Sequence, residues 1–447
     1  MSIPKESVKQ DEALAIHGGT PAVAAPAPES WALGPAEIGE EEIAAVTKTL
    51  RSKSLFRFFK DRSDSAVAQF EDLFAEKSSI AHVLAVNSGT SALISGLVGI
   101  GVSQGDEVLV PAYTYIATAA AVLAVGAFPV LVEVDGALTM DPEDIEGKIT
   151  PRTRAILPVH MRGVPCDMER IMEIARRRGL AVLEDCAQAN GGFYRGKHLG
   201  AWGDAGAFSL QQFKIITAGE GGAVVTNDRR IFDRAAIYHD SAYTFWMEGT
   251  AGGVGKSPES HQEWRKLGFL GENYRQSELH GAVALEQLKK RDRILARTRS
   301  IKKTLRSACA EIPGATVEIS HDPDGDCGIS LAFFMENSDR AQEISRILQA
   351  EGVKCGTRFS RQIPDRHIFF HWDYIMEKRT PHLNGFPWST QTDETRLEYT
   401  RDMCPKTIAW MECAVLLNIT HSMTDAYVED VCAAFRKVAR ALSAATV

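Results

Sequence analysis

From residue 66 to residue 185 the sequence alternates between short apolar runs and longer amphipathic stretches, and this alternation restricts the fold more than any other feature. Residues 66–75 carry apolar side chains at helical spacing, and 82–86 read as a strand. An apolar helix over 92–100 follows. Gly105-Asp106 forms a turn before a strand over 107–111. A helix over 114–125, a strand over 128–134, a helix opening at Asp141-Pro142 and a strand over 155–160 come next. A helix over 168–178, closed by Gly179, leads into a buried strand over 180–185. Repeated strand–helix units of this kind predict an α/β fold, a mostly parallel sheet with helices on both faces.

The flanks are of a different kind. Residues 1–30 are polar, rich in Ala and Pro and without a period, and predict an extended arm. A helix follows Gly34-Pro35, with Ile38, Ile43, Val46 and Leu50 at helical spacing. Residues 51–64 are basic and aromatic. They are either a loop packed on its own aromatic rings or a mobile segment lining a site for an anionic or polyhydroxylated ligand. After two apolar runs at 205–210 and 223–226, a helix over 231–238 and a polar, glycine-rich loop over 248–262, Ser277 caps a long helix. That helix continues through 298–309 as the linker from a large domain (31–300) to a C-terminal α+β domain (310–447) ending in a helix over 425–442.

A chain of 447 residues has room for a domain of roughly 250–300 residues and a smaller one. Its net charge of −8 offers no basic surplus for phosphate neutralisation, so nucleic-acid binding is not expected. No run of 18 apolar residues occurs and residues 1–6 lack a signal-peptide core, so a soluble, cytoplasmic protein without membrane partners is expected. The eight cysteines are scattered, with no Cys-x-x-Cys pair. They read as reduced core residues, and no metal site is expected.

Three features carry chemistry, each with two readings. Ser88-Gly89-Thr90-Ser91, at a strand-to-helix junction, is either a plain N-cap or a phosphate site built from free N–H groups and hydroxyls. Asp185, at the end of an apolar strand with Gln188 three residues on, either caps the next turn or partners a buried cation such as a pyridinium nitrogen. Lys214 sits between two apolar runs, before Gly219, Gly221 and Gly222. It is either a surface lysine on a hairpin or a desolvated amine with a depressed pKa, suited to Schiff-base chemistry.

In this order the three make the parts of a pyridoxal phosphate site. The stretches 87–93, 105–108, 158–160 and 184–188, Lys214-x4-Gly-Glu-Gly-Gly, and 271–278 (Gly-Glu-Asn-Tyr-Arg-Gln-Ser-Glu) resemble the DegT/DnrJ/EryC1/StrS family of sugar and cyclitol aminotransferases. The resemblance covers residues 17–300 most closely. It implies the pyridoxal-phosphate-dependent fold type I, with a mostly parallel seven-stranded sheet between helices and a smaller C-terminal α+β domain. It also implies pyridoxal 5'-phosphate as cofactor, pyridoxamine phosphate as its intermediate form, glutamate or glutamine as amino donor, and a homodimer with shared active sites. Lys214 matches the Schiff-base lysine and proton shuttle, Asp185 the pyridinium partner, and Gln188 the donor to the ring's phenolic oxygen. Gly89, Thr90 and Ser209 match the phosphate ligands, and Tyr115 the ring that stacks on the cofactor. Asn273 matches the residue reaching the phosphate from the neighbouring subunit. His160, Tyr274 and Arg275 stand where substrate could be met, His160 being equally readable as a hydrogen-bonded structural residue.

Some features depart from the pattern. Segment 51–64 is longer and more basic than in many members, and with Pro158-Val159-His160-Met161-Arg162-Gly163 it resembles members acting on eight-carbon sugars. The insert at 248–262 and the His/Trp-rich stretch 365–372 are also unusual. Arg57, Lys60, Arg62 and Arg358 could meet a carboxylate, phosphate or nucleotide, or be solvated surface charges. Relatives that dehydrate rather than aminate carry His at the lysine position or added iron–sulfur cysteines. Lys214 therefore favours transamination over a sugar dehydratase or a non-catalytic regulatory homologue.

Overall fold

The computed structural model describes residues 13–29, 33–241 and 268–445. The insert at 248–262 and the first residues of the arm lie outside the described residues.

The large sheet has seven strands: β1 (His82–Val86), β2 (Glu107–Pro111), β3 (Phe128–Val132), β4 (Thr153–Ile156), β5 (Ala181–Asp185), β8 (Ala205–Ser209) and β9 (Gly222–Thr226). A two-stranded hairpin, β6 (Phe193–Tyr194) with β7 (Lys197–His198), interrupts the series. The strand order is β1-β9-β8-β5-β4-β2-β3. Pairings from β8 through β5, β4 and β2 to β3 are parallel, whereas β9 runs antiparallel to both neighbours. Helices α2 (Ala66–Ser78), α3 (Gly89–Gly99), α4 (Ala117–Ala124), α5 (Pro142–Lys148), α6 (Met168–Arg178) and α7 (Arg229–His239) connect or cover the strands. Strands β2, β8 and β9 are buried along their whole length, which explains their unbroken apolar runs. Two clusters form the core, one including Leu97, Val110 and Leu131, the other Phe70, Phe74 and Phe208.

Local signals placed some boundaries well. Asp167 accepts from the Arg170 N–H at 3.3 Å to start α6, and Gly179 ends it with φ 67°. Others moved for long-range reasons. The helix expected from 114 begins at Ala117, because the N–H groups of Thr114 and Ile116 donate to the carbonyls of His367 and Arg366 (2.8 and 2.9 Å). The strand expected to reach 134 stops at Val132, because the Val134 N–H turns to the Thr407 hydroxyl at 3.0 Å. Helix α1 (Glu40–Ser52) forms, but Ile38, Ile43 and Leu50 stay about half exposed (50%, 54% and 53%). Its inner face instead buries Glu42, which accepts from Gln287 and pairs with Lys290, both at 2.9 Å.

The helix Glu278–Cys309 runs for 32 residues without a break and joins the two halves. Strands β10 (Thr316–Val317), β11 (Ser330–Phe334), β12 (Cys355–Thr357) and β13 (Ala414–Asn418) form an antiparallel sheet in the order β10-β11-β13-β12. Helices Ser338–Ala350 and Asp425–Ala445 pack against it. The C-terminal part is not one unit, however. Residues 366–404 leave this sheet and pack on the large one: Ile368, Phe369 and Trp372 are fully buried in its core, and the Tyr399 hydroxyl donates to the Pro129 carbonyl at 2.7 Å. Among the described residues no helix is long and apolar enough to cross a membrane.

Residues 13–29 of the arm, extended apart from a 3-10 turn over Ala15–His17, are docked. Glu351, fully buried, accepts from the N–H groups of Ala15 and Ala22 (2.7 and 2.9 Å) and pairs with the buried Lys437 at 3.0 Å. Removing one partner of a buried pair strands the other charge. Glu351→Ala is expected to cost about 3–5 kcal/mol, measured by urea unfolding. A loss below about 1 kcal/mol would show that this pair does not anchor the arm.

Candidate active site

The site lies at the carboxyl ends of β1, β5 and β8, where open α/β sheets present ligands. At the end of β1, Ser88 caps α3 by accepting from the Ser91 N–H at 3.0 Å, and Asn87 accepts from the Ser91 hydroxyl at 2.6 Å. The first-turn N–H groups at Gly89 and Thr90 have no partner inside the helix, and the helix dipole favours an anion there. Gly89 is required for close approach, since a Cβ on it would lie 2.7 Å from the Cβ of Ser209 at the end of β8. The same holds at Gly222, where a Cβ would lie 2.4 Å from the Ser88 carbonyl oxygen. Gly89, Thr90 and Ser209 therefore border one opening.

Asp185 ends β5 and is almost fully buried. It accepts from the Thr118 hydroxyl at 2.8 Å and the Ala187 N–H at 3.0 Å. Among the described residues it has no ion pair. Burial pushes its carboxyl above the usual range, against the pull of those two donors, Lys214 and His160. Lys214 sits in the loop between β8 and β9 and feels Asp185 and Glu220. Burial nevertheless lowers its pKa, which favours the free amine. The two groups thus face one another electrostatically, and each resists carrying its charge alone.

Gln188 is oriented by Arg162, whose backbone N–H donates to Oε1 at 2.9 Å and leaves the amide NH2 for another acceptor. Arg162 is buried, has a left-handed backbone (φ 58°) and pairs with Glu318 of the smaller sheet. Tyr115 is 40% exposed and packs against His367, ring centroids 5.2 Å apart. Asn273 is exposed, whereas its neighbours are tied down: Tyr274 accepts from the Asn87 N–H at 2.8 Å through its carbonyl, and Arg275 pairs with Asp240. Burial pushes the Tyr274 hydroxyl up to about 12.

Several expected ligand contacts are not available. His160 is fully buried. Its Nε2 lies 3.0 Å from Glu184 and its Nδ1 accepts from the Cys166 N–H at 3.1 Å, so it is the structural histidine of the two readings. Cys186 joins His160 and Glu184 within 4.8 Å, but burial raises its thiol pKa and both ring nitrogens are engaged. Arg57 is 6% exposed and paired with Glu71 at 2.7 Å, because the aromatic segment folds its guanidinium inward onto α2. Lys60 pairs with Glu278 at 3.2 Å and Arg62 with Asp72. Arg358 is exposed and acts on Asp365 and Tyr113 through space.

Thr118 and Arg162 escaped the sequence analysis. Thr114 precedes α4 and Thr118 lies in its first turn, four residues on, and their hydroxyls lie 2.8 Å apart; that spacing was the available signal for the first. Nothing local marks Arg162, whose partners come from β11 and the smaller sheet. A cavity of about 850 Å3 lies elsewhere, between α1, residues 52–66 and the long helix; Lys60 lines it, but Gly89, Asp185, Gln188, Ser209 and Lys214 do not.

The residues present fit pyridoxal phosphate: an open helix end for the phosphate, a buried carboxylate lacking a cation for the ring nitrogen, and a desolvated amine for the aldehyde. If the α3 opening holds the phosphate, Gly89→Ala lowers affinity for added pyridoxal phosphate at least about tenfold, with far-UV circular dichroism unchanged. Unaltered affinity in a spectroscopic titration would move the phosphate elsewhere.

Residues 36–384 match the DegT/DnrJ/EryC1/StrS aminotransferase family. GDP-perosamine synthase of Escherichia coli O157:H7 is 40% identical over 236 residues, which is 53% of this chain and 60% of that protein, so the match spans about three fifths of the relative's length. A putative L-glutamine:3-amino-2,3-dideoxy-scyllo-inosose aminotransferase of Streptoalloteichus tenebrarius is 35% identical over 312 residues, 69% of this chain and 70% of the relative. The solved structure of S. venezuelae DesV in complex with a ketimine intermediate superposes with a TM-score of 0.69 at 30% identity, covering 90% of this chain and 94% of the other. With a match over most of its length, and with a seven-stranded sheet that gathers Gly89, Asp185, Ser209 and Lys214 at one edge, the chain belongs to the DegT/DnrJ/EryC1/StrS aminotransferase family.

Proposed function

We propose that this protein is a pyridoxal-phosphate-dependent aminotransferase that moves an amino group from glutamate or glutamine to a keto or aldehydo group of a sugar or cyclitol. The observation that carries the reading is that Lys214, an amine whose burial favours its free form, lies within electrostatic reach of Asp185, a buried carboxylate with no ion pair among the described residues. When bound, the cofactor supplies an electron sink and carries the amino group between donor and acceptor.

The chain's own residues supply position and protons. The N–H groups at the start of α3 and the Ser209 hydroxyl hold the phosphate. Asp185, kept in place by Thr118, holds a proton on the ring nitrogen. Gln188, turned by the Arg162 N–H, donates toward the phenolic oxygen. Tyr115 covers one ring face. Lys214 takes and returns the proton at the substrate carbon, a task that needs its amine near neutrality rather than fully charged. No specific observation favours dehydration.

The same reading makes the active unit a homodimer. The Asn273 side chain is exposed, and its Oδ1 accepts from the Arg275 N–H at 3.4 Å, which leaves its amide NH2 to reach a partner's phosphate.

In Lys214→Ala, the visible absorbance of the lysine-linked cofactor is expected to vanish and amino transfer to fall by at least about a thousandfold. Wild-type protein should lose the same band on addition of L-glutamate or L-glutamine. A band that persists in the variant would overturn the lysine assignment. Mixing Asn273→Ala with Lys214→Ala should restore part of the activity through hybrid dimers carrying one intact site. No recovery, with hybrids verified by tag exchange, would confine Asn273 to its own subunit.

A further inference from the structure

The stretch 365–372 has no counterpart among the roles above, yet it is built into the site. The Thr114 and Ile116 N–H groups donate to the carbonyls of His367 and Arg366, and Phe369 donates back to Ala112 at 3.0 Å. Ile368, Phe369 and Trp372 are fully buried, and the Trp372 indole donates to the Arg366 carbonyl at 2.9 Å. The segment is thus an added strand-like rung along residues 112–116, anchored on its core side. A continuous set of hydrogen bonds ties it to the reacting centre. Asp185 accepts from Thr118, the Thr118 and Thr114 hydroxyls meet at 2.8 Å, and Thr114 donates through its backbone to His367.

On this fixed rung Arg366 is exposed to solvent, and His367 is the polar side chain held beside Tyr115. The His367 side chain is 40% exposed, beside Tyr115. Its Nδ1 lies 2.7 Å from Asp365 Oδ1, which also accepts from the His367 backbone N–H at 2.8 Å. Burial opposes the charge on Asp365, but these two His367 bonds outweigh it and hold the carboxyl below the usual range. An ionised carboxylate can only accept, so Nδ1 carries the proton. In the neutral ring Nε2 then presents a lone pair, with no protein partner among the described residues. Orientation by a carboxylate, a rigid backbone and an open nitrogen on a ring packed against Tyr115 are the properties of a preorganised contact rather than a solvated surface histidine.

We propose that His367, positioned by Asp365, accepts a hydrogen bond at Nε2 from a ring hydroxyl of the amino acceptor, so that the acceptor is a polyhydroxylated ring bound on the Tyr115 side of the site. This rests on the function proposed above. Asp365 acts through His367 and is a positioning residue.

The test separates the two halves of the reaction in the full holoenzyme. The pyridoxamine phosphate form is made with L-glutamine or L-glutamate, and its consumption by scyllo-inosose, 2-deoxy-scyllo-inosose and GDP-4-keto-6-deoxymannose is then followed. For His367→Ala the loss in the acceptor half, seen mainly as a raised KM, should exceed any loss in the amino-acid half by at least about tenfold. His367→Gln, which can place a polar atom where Nε2 was, should recover part of it. His367→Asn, which keeps the contact to Asp365 but not the outer nitrogen, should not. Recovery by Asn but not by Gln would show a structural histidine and overturn the proposal, as would an Ala variant with equal effects on both halves. A wild-type pyridoxamine form that none of the three rings consumes overturns the acceptor class and this inference with it. A wild-type protein that never reaches that form overturns the aminotransferase reading itself.

Discussion

A carboxylate buried at the end of a central strand cannot stand without a partner, and Asp185 sets the terms for everything around it. Its strand lies between β4 and β8, sealed on both faces, so water does not supply the missing partner. Thr118 and the Ala187 N–H satisfy oxygens, yet burial still raises its pKa. The loop from β8 to β9 brings Lys214 within electrostatic reach, and that amine is itself desolvated. Neither group neutralises the other fully. The arrangement is strained in charge, though not in backbone, and in the proposed function a protonated ring nitrogen beside Asp185 would relieve it.

The rest of the structure holds this edge of the sheet in shape. Arg162 turns Gln188 toward the site and reaches back to Glu318, which also pairs with Lys302 of the long helix at 2.8 Å. Lys302 in turn pairs with Asp326 at 2.6 Å. These groups are buried, so each depends on the others to remain charged. One network therefore spans the large sheet, the long helix and the smaller sheet directly behind Gln188. On the other side, the 365–372 rung locks the loop that carries Tyr115 and leads into α4 and Thr118. The active-site edge is clamped from both flanks by chain that arrives late in the sequence.

What was legible followed the range of the forces involved. Helix α6 was readable to its ends because its cap, its apolar period and its closing glycine all act within a few residues. The opening of α3 and the positions of Asp185 and Lys214 were readable for the same reason: strand ends and glycine turns are local. The start of α4 was misjudged because its first N–H groups bond to residues 366–367 rather than to its own turn. Arg57 looked like a ligand contact because its partner Glu71 lies on another element, and the inward turn that pairs them is decided by packing of Phe58. The outward apolar row of α1 could not be read from spacing, since periodicity shows that a helix has an apolar face but not which way that face points.

The amino-acid sequence by itself determined the alternating α/β frame, the order of the chemical parts along it, and the placement of Gly89, Asp185 and Lys214 at strand ends. These depend on backbone propensity, caps and burial pattern, which neighbouring residues decide. Only the tertiary structure decided which polar side chains face the site. It buried His160 and Arg57 in closed pairs, and brought Arg162 to Gln188 and His367 to Tyr115. A charged or polar side chain takes whichever partner the chain's topology places beside it, and those partners are hundreds of residues apart for Tyr115 and His367 but only fourteen for Arg57 and Glu71.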